Sequence, residues 1–121
     1  MRAVIDSDVL IDFLQGNEAA RTEINRYDPA LYSVISWMEV MCGAENDEER
    51  KAARGLFDSM QRVEVTAEVA ERAVEERISR KLKLPDAIIL ASADVEGCIL
   101  VTCNTKDFAA DDPSVRIPYS V

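Results

Sequence analysis

The sequence contains no histidine. That absence removes Ser-His-Asp and Cys-His nucleophile systems, histidine-ligated zinc and any imidazole acid–base pair. Chemistry on this chain must come from carboxylates, hydroxyls, amines, thiols or a bound metal. Cysteine is scarce and odd in number, at positions 42, 98 and 103, with no C-x-x-C pair. Neither a zinc site nor a disulfide framework is indicated, and a reducing cytoplasm is the expected setting. Cys42 and Cys98 read as core thiols, Cys103 as partly accessible. No apolar run reaches the ~18 residues of a membrane span, so no membrane is expected among its partners. The opening Met1-Arg2-Ala3-Val4-Ile5 passes straight into a strand-like segment, without the layout of a secretory signal. Internal repeats, linkers and low-complexity stretches are also missing.

What remains is a globular composition, 48% hydrophobic and 31% charged over 121 residues, expected to form one domain spanning 1–121. Acids outnumber bases 23 to 14, a net charge of −9. Short apolar runs at 3–5, 31–35, 63–65, 98–102 and 115–117 read as strands. Helical patterns lie between them. One is capped at Ser7-Asp8 and runs to Leu14, and another covers about 18–26. Ser36-x-x-Glu39 has the form of a capping box and predicts a helix from there to near Gly43. A helix after Asn46-Asp47 turns Ala53, Leu56, Phe57 and Met60 inward. A helix from Thr66 to about Leu82 turns Ala70, Ala73, Val74 and Ile78 inward. A last helix, 86–95, follows Pro85 and is apolar nearly all round, so it is expected to be deeply buried. Strands that are continuous apolar runs alternating with helices predict a parallel α/β sheet covered on both faces.

In such sheets ligands bind beyond the carboxyl ends of the strands. Asp6 directly follows the first strand and Asp107 lies in the loop after strand 98–102. Glu39 follows strand 31–35, and Asp86 opens the buried helix. Four acids distant in sequence are thus expected on one rim, with Ser7 and Asn104 adding neutral oxygens. Each has a plainer role available: a capping box for Glu39, a helix-dipole partner for Asp86, a turn for Asp107, a strand end for Asp6. Together they repel one another unless a cation intervenes. An oxygen-only donor set suits Mg²⁺ or Mn²⁺. Such an ion activates water and polarises phosphoryl oxygens, supplying a nucleophile without histidine.

Four segments carry a resemblance. Val4-Ile5-Asp6-Ser7-Asp8-Val9-Leu10-Ile11-Asp12, Ser33-Val34-Ile35-Ser36-x-x-Glu39, Leu84-Pro85-Asp86-Ala87 and Leu100-Val101-Thr102-x-Asn104-x-x-Asp107-Phe108 resemble, in order, the four motifs of PIN-domain proteins. The length resembles VapC-type toxins of toxin–antitoxin pairs. The resemblance implies a three-layer α/β/α fold with a central four- to five-stranded parallel sheet. It also implies an Mg²⁺- or Mn²⁺-dependent endoribonuclease that cleaves by in-line attack of metal-activated water. Asp6, Glu39, Asp86 and Asp107 match the family's acidic quartet, as both catalytic and metal-holding groups, with Ser7, Thr102 and Asn104 as auxiliaries. Asn104 matches a position that varies between acid and amide, and the amide removes one charge. Asp8 stands where Asn is frequent and reads as a helix cap. The partners implied are RNA, with tRNA a family-level expectation, a cognate antitoxin protein, and a second copy in a homodimer. The large apolar groups around Trp37-Met38-x-Val40-Met41 and Leu56-Phe57-x-x-Met60 read as core, with some available to a dimer face or an antitoxin groove.

An acidic chain is a poor general match for RNA. The local run Arg77-x-x-Arg80-Lys81-x-Lys83 leads into Asp86, and Lys106 precedes Asp107. These five bases are the candidates for guiding phosphates, although bases near a helix end also serve its dipole. Other α/β classes share single features. A receiver domain places its phospho-acceptor after a mid-chain strand, whereas Asp58 lies in a helical pattern. Asp6-Ser7-Asp8 resembles the start of haloacid-dehalogenase-type phosphatases, which need a longer chain. A PIN-type module that binds RNA or a partner without cutting is the remaining alternative.

Overall fold

The computed structural model describes residues 1–120. Five strands, β1 (Ala3–Ile5), β2 (Ala30–Ser33), β3 (Gln61–Val63), β4 (Ile99–Val101) and β5 (Val115–Arg116), form one sheet in the order β3-β2-β1-β4-β5. Every neighbouring pair is parallel, with Val4 opposite Leu31 on one side and Leu100 on the other. Six helices connect them: α1 (Ser7–Leu14), α2 (Glu18–Asn25), α3 (Val34–Gly43), α4 (Asp47–Asp58), α5 (Ala67–Arg80) and α6 (Leu84–Glu96).

The two-residue period of a strand divides the core between the faces. Ala3, Ile5 and Tyr32 point to one side, among Val9, Leu10, Ile24, Val40, Leu56 and Phe57 of α1 to α4. Val4, Leu31 and Leu100 point to the other, among Val69, Ala73, Leu90 and Ala91 of α5 and α6. The result is the expected three-layer α/β/α arrangement. Strand order reverses at β1, where β2 lies on one side and β4 on the other, and the crevice beyond such a switch point is where an open sheet accepts ligands.

Several local expectations are corrected. The serine that caps α3 is Ser33, whose hydroxyl accepts from Ile35 N at 3.1 Å. The helix therefore begins two residues before Ser36, in Val34-Ile35, whose β-branched side chains read as strand. Ser36 and Glu39 consequently form no capping box, and Glu39 lies beyond the first turn. The cap of α1 is Asp6 itself, not Ser7 or Asp8. Helix α6 starts at Leu84 with Pro85 already in its first turn. Helix α5 is rotated from the expected phase: Val69, Ala73 and Glu76 are buried, whereas Val74 is 53% and Ile78 75% exposed. The buried Glu76 carboxylate meets Arg80 at 3.2 Å and Arg72 at 3.9 Å, and its burial is tolerable only with such partners. Cys42 is exposed, because the buried positions of α3 are Ser36 and Val40. Cys98 is half-buried. Cys103 is buried, with its thiol on the Tyr119 carbonyl at 3.5 Å.

Candidate active site

Asp6 leaves β1 at its carboxyl end and turns the chain into α1 with extended backbone angles (φ −71°, ψ 158°). Its side chain is held from both sides. Oδ1 accepts from Ser7 N and Oδ2 from Thr102 Oγ1, each at 2.7 Å. Thr102 immediately follows β4, so this bond ties the two central strand ends together. The threonine has one proton, and the 3.5 Å separation to Asp8 Oδ2 is too long to compete for it. Burial, reinforced by the Asp8 charge and more weakly by Asp86, pushes the Asp6 carboxyl up to about 7 against the pull of its hydrogen bonds.

Asp86 enters from the first turn of α6. Burial raises its pKa, and the neighbouring Asp107 and Glu39 carboxylates raise it further, while Lys83 opposes them. Asp107 lies against Asp86 and is fixed to its own loop, where Asn104 Nδ2 donates to Asp107 Oδ2 at 2.9 Å and Asp107 N to Asn104 Oδ1 at 3.3 Å. Glu39 reaches in from α3, with Oε1 accepting from Ser7 Oγ at 2.7 Å. Asp6, Ser7, Asp8, Ile11, Glu39, Asp86 and Asn104 line one open cleft at the carboxyl edge of the sheet, with Asp107 at its rim beside Asp86.

Two residues of this region were given other roles by sequence reasoning. Asp8 lines the cleft, and its Oδ2 accepts from Cys103 N at 3.0 Å, bridging α1 to the segment after β4. Its position two residues after Asp6 was the available signal. Ser36, read as half of a capping box, places its hydroxyl 2.9 Å from Ser7 Oγ. No sequence signal marks that contact, because it joins two helices.

The basic candidates separate. Arg77 donates to the Leu82 carbonyl at 2.5 Å and closes the end of α5. Arg80 bridges Glu76 and Asp112. Both guanidiniums are thereby committed to the fold. Lys81 occupies the left-handed turn after α5 (φ 58°) with its side chain in solvent. Lys83 caps the entry to α6 and is felt electrostatically by Asp86. Lys106 is exposed in the turn between Asn104 and Asp107.

Could these residues hold a divalent ion? Among the described residues no three acidic groups are already drawn into one cage. Unneutralised carboxylates repel, and the exposed Glu39 and Asp107 have room to stay apart. The donor chemistry fits nonetheless. The cleft offers carboxylate, hydroxyl and amide oxygens with neither imidazole nor thiolate, the set preferred by Mg²⁺ and Mn²⁺. Asp6, buried and already destabilised as an anion, gains most from a nearby cation.

Comparison with known proteins adds an independent line. The PIN domain family model matches residues 3–111. A toxin–antitoxin complex from Klebsiella pneumoniae contains a chain 39% identical to this one, covering 98% of this chain and 99% of that one, with a TM-score of 0.90. More distant likeness shows the fold alone. FitAcB from Neisseria gonorrhoeae is 18% identical over 98% of this chain and 99% of that one (TM-score 0.80). DNA-bound VapBC from Salmonella typhimurium is 22% identical over 97% and 96% (TM-score 0.77). No match is found among curated proteins.

Proposed function

The chain belongs to the PIN-domain family, and from that premise we propose that it is an Mg²⁺- or Mn²⁺-dependent endoribonuclease, the toxin of a toxin–antitoxin pair. One observation carries the reading. Asp6, Glu39 and Asp86, from three separate elements, line one cleft at the switch point of the sheet, with Asp107 beside Asp86, and burial pushes the carboxyl of Asp6, the most buried of them, up to about 7. A purely structural site gains nothing from gathering like charges there.

Asp6 and Asp86 are the anchors for the ion. Asp6 is fixed by Thr102 and Ser7, and Asp86 is carried on the rigid start of α6. Asp107 would add a further carboxylate toward the ion, and Asn104 steadies Asp107. Glu39 binds the ion or orients the attacking water, with one oxygen kept on Ser7. When bound, the ion neutralises the cluster, activates water and polarises the scissile phosphate. Lys83, Lys81 and Lys106 are the cations left to receive phosphates, since Arg77 and Arg80 are occupied. The product expected from attack by water is a 5′-phosphate and a 3′-hydroxyl. Structured RNA such as tRNA is the expected substrate, and the cytoplasm the expected place of action. RNA cleavage by the wild-type chain and by Asp6→Asn tests the assignment. Retained cleavage by a folded Asp6→Asn variant contradicts it.

The antitoxin reading rests on a second feature. An apolar groove of about 190 Å³, lined by Ile11, Leu14, Val40, Ala44, Ala52 and Ala53, carries Glu39 and Glu49 at its sides. Ile11 and Glu39 also line the acidic cleft. The groove therefore suits an antitoxin segment with apolar anchors and a basic side chain directed at the cleft. The K. pneumoniae relative is itself part of a toxin–antitoxin complex. For a homodimer, the exposed Val74 and Ile78 of α5 offer one apolar face. Ile78→Asp is expected to sediment as a monomer, and an unchanged sedimentation coefficient counts against that face.

A further inference from the structure

We propose that Ser36 is a positioning residue for Glu39, acting through the Ser7 hydroxyl. The inference rests on the metal-site reading above and extends it to a residue with no exposed surface. The argument is a count of protons. The Glu39 carboxylate can only accept, so the 2.7 Å contact between Ser7 Oγ and Glu39 Oε1 uses the single hydroxyl proton of Ser7. Ser7 Oγ also lies 2.9 Å from Ser36 Oγ. With its own proton spent, Ser7 must accept there, and Ser36 must donate. The chain Ser36 → Ser7 → Glu39 is thus directional, running from the interior of α3 across to α1 and back to the cleft.

The use of this proton is unusual for a helical serine. Such a residue ordinarily returns its proton to the carbonyl one turn earlier, as Ser92 does to Ile88 O at 2.9 Å. Ser36 instead reaches another helix. Ser36 is fully buried and Ser7 nearly so, at 0% and 8% exposure, whereas Glu39 is exposed. A long carboxylate side chain at an exposed position samples many rotamers. The chain fixes one of its oxygens and leaves the other for the cleft. Without Ser36 as donor, the Ser7 hydroxyl is free to turn away, and Glu39 loses its fixed orientation.

The test is Mn²⁺ binding to metal-free protein, followed by electron paramagnetic resonance, for wild type, Ser36→Ala, Ser36→Cys, Ser7→Ala and the Ser7→Ala/Ser36→Ala double variant. Thermal unfolding of each variant controls for packing. Removal of an outer hydrogen-bond partner is expected to weaken Mn²⁺ binding by roughly tenfold. Ser36→Cys, which fills the same space with a weaker donor, is expected to follow Ser36→Ala. In the Ser7→Ala background Ser36→Ala is expected to have no further effect, because the path to Glu39 is already cut. A merely structural role for Ser36 would persist in that background. Wild-type affinity in a folded Ser36→Ala or Ser36→Cys variant overturns the proposal, as does an additive double variant. A folded wild type that binds no Mn²⁺ overturns the metal-site reading itself, and this proposal with it.

Discussion

Thr102 Oγ1 donates to Asp6 Oδ2 at 2.7 Å across 96 positions of sequence, joining the ends of the two central strands at the floor of the acidic cleft. Both residues are buried, so the bond is made where water cannot replace it. It favours the ionised form of a carboxylate that burial drives toward protonation. Thr102→Val keeps the shape and removes the donor. The Asp6 pKa is then expected to rise above its present value of about 7. A hydrogen bond to a charged group contributes about 1.5–3 kcal/mol, so nuclease activity near neutrality should fall about tenfold or more. In metal-free protein the titration of the Asp6 carboxyl, followed by carbon NMR, should move to higher pH. An unmoved titration would show that Thr102 does not govern Asp6.

Asp6 also makes stability depend on pH in an uncommon direction. Its carboxyl ionises near 3.8 ordinarily and at about 7 in the folded protein. Between those values the folded chain keeps a proton that the unfolded chain releases, so metal-free stability should fall as pH rises through this window. The shift from 3.8 to about 7 corresponds to on the order of 4 kcal/mol. Asp8 and Asp86 are raised as well and act in the same direction. Denaturant unfolding of metal-free wild type and Asp6→Asn at pH 4 to 8 reads the effect. The variant should gain on the wild type as pH rises, and added Mn²⁺ should stabilise only the wild type. Parallel stability curves would contradict the assignment.

The placement of the acids was legible because it follows from chain direction alone. In a parallel sheet every strand ends at the same edge, so the acids that follow the strands were expected on one rim; Asp6, Glu39 and Asp86 line one cleft there, and Asp107 stands beside Asp86. Helix phase and caps were less legible. Val34-Ile35 has the composition of a strand and lies in a helix, since Ser33 satisfies its first turn. In α5 the apolar set Ala70, Val74 and Ile78 looked inward, yet the face carrying Glu76 is buried. Glu76 is paired with Arg80 and Arg72 one turn away on the same helix, and Arg80 is in turn anchored by Asp112 from a loop far along the chain. The bridging roles of Ser36 and Asp8 were hidden for the same reason, because each depends on a partner brought close only by folding.

The basic run before Asp86 divides into bases that hold the fold and bases free to meet phosphate. Arg80→Ala removes a partner of Glu76, whose Oε2 is buried with no hydrogen-bond partner among the described residues. A stability loss of about 1–2 kcal/mol is expected, reduced from a fully buried pair by the exposure of Arg80. Lys83→Ala breaks no ion pair or side-chain hydrogen bond among the described residues and removes only a charge that acts on Asp86 from a distance. It should leave the melting temperature unchanged, lower kcat/KM for RNA, and flatten the dependence of cleavage on salt. Loss of stability in Lys83→Ala, or an unaltered salt dependence, would reverse the division.

The most direct test of the account is the chemistry of the cut. Total RNA is incubated with purified protein in Mg²⁺ or Mn²⁺, with and without EDTA, and the new ends are mapped. Water attacking in line at a metal-holding carboxylate cluster predicts cleavage that EDTA abolishes, leaving 5′-phosphates and 3′-hydroxyls. Cleavage that persists in EDTA, or a 2′,3′-cyclic phosphate at the new ends, would contradict the account.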